Sequence, residues 1–184
     1  MSMKKLISAT AVCLLAAGLA FAGELKSGLP VGERVPAFNV RDITGPSKGE
    51  TLCYRCKYGS RPVVTIFTRE VNDSVTELIS KIDAVVGKNK DAKMASFVCV
   101  ITEDADKVEK QLEAIAKDKK ITNVPLTIIE GTTGPDNYKL SKDAAVTVMM
   151  WNESTVKVNE AFGKATLDAK TIEKLVAETK KILE

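Results

Sequence analysis

Three short, nearly unbroken apolar runs set the layout of this chain. Residues 62–67, 95–101 and 124–129 are each rich in β-branched side chains, the pattern of strands buried on both faces. Pro125 stands at the start of the third run, where a missing N–H does little harm. Residues 38–40 alternate as a short first strand. Residues 146–151 and 155–162 predict a closing hairpin across Asn152-Glu153-Ser154. Its second arm sets Val156 and Val158 against Lys157 and Asn159, as an edge strand with one wet face does.

Between the strands the period changes to that of a helix. Val71, Val75, Leu78, Ile79, Ile82, Val85 and Val86 form one apolar stripe, with Ser74-x-x-Glu77 as a capping box and Gly87 as the stop. Asp104 caps a second helix, marked by Val108, Leu112, Ile115 and Ala116. A last helix carries Ile172, Leu175, Val176, Ile182 and Leu183. Residues 42–50 and the stretch around Gly131, Gly134, Pro135 and Asn137 read as turns and loop. The order β-β-α-β-α-β-β-β-α predicts an α/β fold: a central mixed sheet with helices on both faces, closed by a hairpin plus helix. No repeats, low-complexity segments or internal linkers interrupt it.

The first 22 residues follow a different rule. Lys4 and Lys5 precede an apolar run from Leu6 to Phe21, and Ala20-Phe21-Ala22 is a small-x-small site. This is a signal peptide with cleavage expected before Gly23. The run is short for a membrane span. Cys13 lies inside it and leaves with it. Residues 23–184 then form one domain, exported to the periplasm or secreted, with no membrane attachment after cleavage. The formal charge of +3 falls to about +1 once two lysines are removed. Acids and bases are interspersed, so no nucleic-acid partner is expected.

Histidine is absent from the chain, which rules out imidazole-activated nucleophiles. Of the remaining cysteines, Cys53 and Cys56 form a CxxC, and in an oxidising compartment such a pair forms a disulfide. Two readings stay open. One is a redox dithiol, with Arg55 and Lys57 favouring a thiolate and Tyr54 and Tyr58 facing a peptide partner. The other is a structural staple on an irregular loop. Metal is disfavoured, because only Cys99 and carboxylates remain to complete a tetrahedral site, and no cofactor is expected. Cys99, within an apolar run, reads as a small core residue. Trp151, Met149 and Met150 read as core, and Glu70 and Asp73 as a solvated helix start.

Val31-Gly32-x-x-x-Pro36-x-Phe38, Gly59-Ser60-Arg61-Pro62-Val63-Val64 and the hairpin plus helix after residue 146 together resemble the thioredoxin fold. The similarity is to its redoxin branch, the alkyl hydroperoxide reductase/thiol-specific antioxidant family, over residues 29–183. The resemblance implies a reactive cysteine just after the central strand, at the start of the next helix. Here that stretch is Thr68-Arg69-Glu70-Val71-Asn72-Asp73-Ser74, with no cysteine. It also implies a cis-proline before the closing hairpin, where Ala145 or Val146 stands; a different alignment makes Val124-Pro125 that bond. The expected activity is therefore thiol–disulfide exchange with a protein partner at a displaced Cys53/Cys56 pair, not peroxide reduction at the usual place. By analogy with CxxC oxidoreductases, Cys53 attacks and Cys56 resolves. The alternative is a redox-inactive binding or scaffold domain.

Overall fold

The computed structural model describes residues 25–164 and 166–184. The leader expected at residues 1–22 lies outside them. Seven strands form one mixed sheet in the order β2-β1-β5-β4-β3-β6-β7. They are β1 (Val40–Asp42), β2 (Thr51–Leu52), β3 (Val63–Thr68), β4 (Ala95–Thr102), β5 (Leu126–Glu130), β6 (Val146–Asn152) and β7 (Thr155–Phe162). β3, β4 and β5 are parallel neighbours, and β6 and β7 close the sheet antiparallel. β3, with all six residues buried, is a central strand as its unbroken apolar run predicts.

Four helices accompany the sheet: α1 (Tyr54–Tyr58), α2 (Asp73–Lys88), α3 (Ala105–Asp118) and α4 (Ala169–Glu178). The side chains of β3, β4 and β6 alternate between two apolar layers. Val64, Ile66, Val98, Val100 and Val148 face the first, where α2, α3 and α4 lay their stripes. Val63, Phe67, Phe97, Met149 and Trp151 face the second. That layer is covered by α1, by residues 29–40 and by Tyr138 from a 3-10 turn at Asp136–Tyr138.

Several boundaries differ from the sequence reading. The first strand lies two residues later, because Phe38 leaves the sheet plane to pack on Phe67, Phe97 and Tyr138. β2 and α1 were not expected at all. The cap of α2 is Asn72, whose Oδ1 accepts the Val75 N–H at 3.0 Å, rather than Ser74. The helix also runs through Gly87 and ends at Asn89, whose side chain donates to Val85 O at 2.8 Å. Gly87 needs no left-handed backbone there, so its lack of a side chain does not stop the helix.

One buried carboxylate ties the helical layer to the sheet. Asp83 on α2 accepts the backbone N–H groups of Thr122, Asn123 and Val124 at 3.0, 2.6 and 3.1 Å, and the Asn123 side-chain amide at 3.0 Å. These donors belong to the turn that feeds β5. Asp83→Ala strands three of them, a loss of about 2–3 kcal/mol, measurable as a lower urea midpoint at an unchanged m-value. Asp83→Asn keeps an acceptor oxygen and should recover part of the difference.

Candidate functional site

Cys53 and Cys56 are joined in a disulfide, with their Cα atoms 5.2 Å apart. The turn that carries them is built from tertiary contacts. Tyr54, 1% exposed, stacks on Phe97 of β4 at 5.4 Å and donates its phenol O–H to buried Asp42 at 2.7 Å. Tyr58, one helical turn later, packs against Tyr54 at 5.2 Å and also reaches Phe97. Arg55 Nε donates to Val35 O at 2.9 Å. With Tyr54 and Tyr58 holding the inner side, the disulfide is left on the outer side. The expectation that both tyrosines face a partner is therefore corrected: Tyr54 faces the core, and Tyr58 is half-buried.

The two cysteines differ. Cys56 is exposed, whereas Cys53 is half-buried and stands at the N-cap of α1, its Sγ accepting the Cys56 N–H at 3.0 Å. The sequence reading placed neither cysteine at a helix start; Cys53 is at one, although α1 is only five residues long. Basic side chains lie over both rings of the turn. Lys57 Nζ lies 5.5 Å above the Tyr54 ring, and the Arg61 guanidinium lies 5.0 Å above Tyr58.

Burial pushes the phenols of Tyr54, Tyr58 and Tyr138 well above the ordinary tyrosine value. The hydrogen bond to Asp42 adds to the effect at Tyr54, and Arg61 opposes it at Tyr58. All three remain neutral hydrogen-bonding groups at physiological pH.

Cys99 is fully buried in β4, 3.7 Å from Thr127 Oγ1. Burial pushes its thiol up, so it is a core residue that does not meet the pair. Met149, Met150 and Trp151 are likewise core. Among the described residues, no three cysteine or carboxylate groups come together as metal ligands.

At the far end of β3, Asn72 occupies the start of α2. The neighbouring Arg69 is turned inward onto the chain's own backbone. Its guanidinium donates to Ala144 O at 3.2 Å, to Ser141 O at 3.1 Å and to Thr132 O. The space beside it, between β3, Leu140 and Ala145, is reduced to about 10 Å³. The Val124–Pro125 bond is trans, as are all other described peptide bonds.

Sequence reasoning missed the covered groove at Arg69, α1 itself and the Tyr54–Asp42 anchor. The i, i+4 spacing of Tyr54 and Tyr58 was the one available signal for α1, since it places two rings on one side of a helical turn.

No protein-family model matches the chain, and no curated protein matches it in sequence. Solved structures do match it in shape. A protein disulfide isomerase candidate from Bacteroides thetaiotaomicron superposes with a TM-score of 0.64 at 19% identity, covering 86% of this chain and 94% of that one. A thiol:disulfide interchange protein candidate, DsbE, from Chlorobium tepidum gives 0.66 at 13% identity, covering 85% and 99%. AhpC from Mycobacterium tuberculosis gives 0.59 at 12% identity, covering 85% and 99%. At these identities the likeness establishes the fold, which is thioredoxin-like.

Proposed function

We propose that this thioredoxin-like chain is an exported thiol–disulfide exchange protein that works through Cys53 and Cys56. Residues 1–22 are its removable leader and residues 23–184 its single domain. An oxidising compartment keeps such a pair bonded, and no described helix is long and apolar enough to cross a membrane. The observation that carries the reading is the unequal exposure of the two cysteines, with Cys56 exposed and Cys53 half-buried, its Sγ accepting a backbone N–H.

That asymmetry reverses the order expected from analogy. A partner thiolate attacks Cys56 Sγ, the Cys53–Cys56 bond breaks, and Cys53 departs with the electron pair as a thiolate. The Cys56 N–H and nearby positive charge stabilise it, which makes it the better leaving group. A second thiolate of the partner then attacks the partner's own sulfur in the mixed disulfide and releases Cys56. The partner is oxidised to its disulfide, and the protein takes up two electrons and, at neutral pH, two protons.

A permanent staple is the competing reading, and energetics favour it little. Closing a loop of about four residues contributes roughly 2 kcal/mol, against about 3 for a 15-residue loop. The turn already has anchors of its own in Tyr54, Tyr58 and Arg55.

The deciding measurement is the reduction potential of the pair, by thiol trapping across a glutathione series. A value between about −270 and −120 mV, the span of known oxidoreductases, is expected. A value below about −300 mV belongs to a structural disulfide. It would replace this reading with that of a redox-inactive binding or scaffold domain.

A further inference from the structure

The charges of this chain are sorted by position, although its composition is nearly balanced. The stretch from Cys53 to Pro62 carries Arg55, Lys57 and Arg61 and no acid. Arg61 Nε donates to Lys93 O at 2.6 Å, which joins α1 to the turn before β4, where Lys88, Lys90 and Lys93 face only Asp91. Tyr58 lines a cleft of about 470 Å³ with Thr44–Pro46 and Ile121–Pro125. The turn leading into that wall carries Lys117, Lys119 and Lys120 against Asp118. These segments all meet at the leading end of the parallel strands β3, β4 and β5.

The trailing end has the opposite sign. Glu70, Asp73, Glu103, Asp104, Asp106 and Glu130 gather there, and the guanidinium of Arg69 is committed to backbone carbonyls.

We infer that the surface around the Cys53–Cys56 disulfide, from the outer side of α1 to the cleft beside Tyr58, docks an acidic protein segment that carries the cysteine to be oxidised. The inference rests on the exchange reading above and specifies its partner. A surface of one sign raises the local concentration and encounter rate of an oppositely charged partner, and salt screens the effect. Interspersed charges would give no such preference. Here nine lysines and arginines outnumber Glu50, Asp91, Asp118 and Glu153 at the end of the sheet where the disulfide turn lies, and six acids gather at the other. A basic partner would be steered to the trailing end, where no cysteine is present.

The test uses the oxidised full chain and two otherwise identical short peptides, each with one reduced cysteine, flanked by glutamates in one and by lysines in the other. Mixed-disulfide formation is followed by acid quench and mass spectrometry. The acidic peptide should react on the order of tenfold faster at about 20 mM salt, with the gap closing toward parity at about 500 mM. Lys57→Glu combined with Lys90→Glu, both exposed positions, should abolish or invert the preference. Lys142→Glu, in the loop at the other end, should leave it intact.

Equal rates at low salt, or a faster basic peptide, overturn the acidic partner while exchange itself stands. Failure of either peptide to form a mixed disulfide overturns the exchange reading, and this inference with it.

Discussion

Changing Cys53 to serine is expected to leave a protein that captures a disulfide-bonded partner as a stable mixed disulfide: the Cys56 thiolate attacks one sulfur of the partner's disulfide and the other leaves as a thiolate. Cys56→Ser is expected to capture it at least about tenfold less, while turnover in both variants falls to the uncatalysed background. Exchange needs an in-line approach of one sulfur to another, and of the two cysteines Cys56 is the exposed one. Cys53 is half-buried, with its Sγ accepting the Cys56 N–H, placed to leave or to resolve but poorly placed to meet a partner first. In Cys53→Ser the resolving thiol is gone, so the mixed disulfide accumulates and can be identified by mass spectrometry after non-reducing electrophoresis. Equal trapping by the two variants, or more by Cys56→Ser, would restore the order inferred from analogy, with Cys53 as the attacking sulfur.

A second large effect is expected at alkaline pH. Tyr54, Tyr58 and Tyr138 are the only tyrosines of the chain, and burial raises the phenol pKa of each in the folded state. A raised phenol favours the neutral form, so its contribution is complete below the unfolded value of about 10. It is lost as pH rises from there toward the folded value, because the unfolded chain releases protons that the folded one retains. Each tyrosine lowers stability by about 1.4 kcal/mol per pH unit in that window, and the three together by about 4. Cys99, whose thiol is also pushed up by burial, starts the decline earlier, from its ordinary value near 8.5. Urea midpoints should thus fall steeply between about pH 9 and pH 11.5, and Tyr138→Phe should reduce the slope by about a quarter. A flat midpoint across that range would mean that the phenols ionise within the fold.

The strands and long helices were legible because each declares itself over many residues. Residues 62–67 have to be a buried strand wherever they are placed, and the stripe from Val75 to Val86 has one solution as a helix. α1 was barely legible, since beyond the Tyr54/Tyr58 spacing and the Cys53 cap little that is local builds it. Its five residues are held by Phe97 from β4 and by Asp42 at the end of β1, partners distant in sequence. The two-residue β2 is below the length at which alternation carries information. Capping was half legible: the right segment was identified, but Asn72 and not Ser74 makes the bond, a choice of one residue among three similar ones. At the candidate site the Cys53–Cys56 disulfide was readable from the CxxC spacing alone. The exposure of each cysteine was not, because it depends on which side of α1 the tyrosines bury.

Residues 131–145 run between β5 and β6 with only a single 3-10 turn of their own. Tyr138 pins the middle of this stretch through its phenol O–H to Pro36 O at 2.7 Å, while Arg69 gathers carbonyls from both halves. The conformational entropy of some fifteen residues, on the order of 1 kcal/mol each, is thereby set against the Arg69 fork, the Tyr138 phenol and a few bonds from Lys139 and Ser141 to residues 27–33. Such a stretch opens as one cooperative unit once its fork is lost, well below the free energy of global unfolding. Lysine cannot take over from Arg69, because a point ammonium does not span three divergent carbonyls. The conservative exchange at this position would therefore turn a closed wall of the molecule into its weakest region, the place where proteases cut and amide protons exchange first.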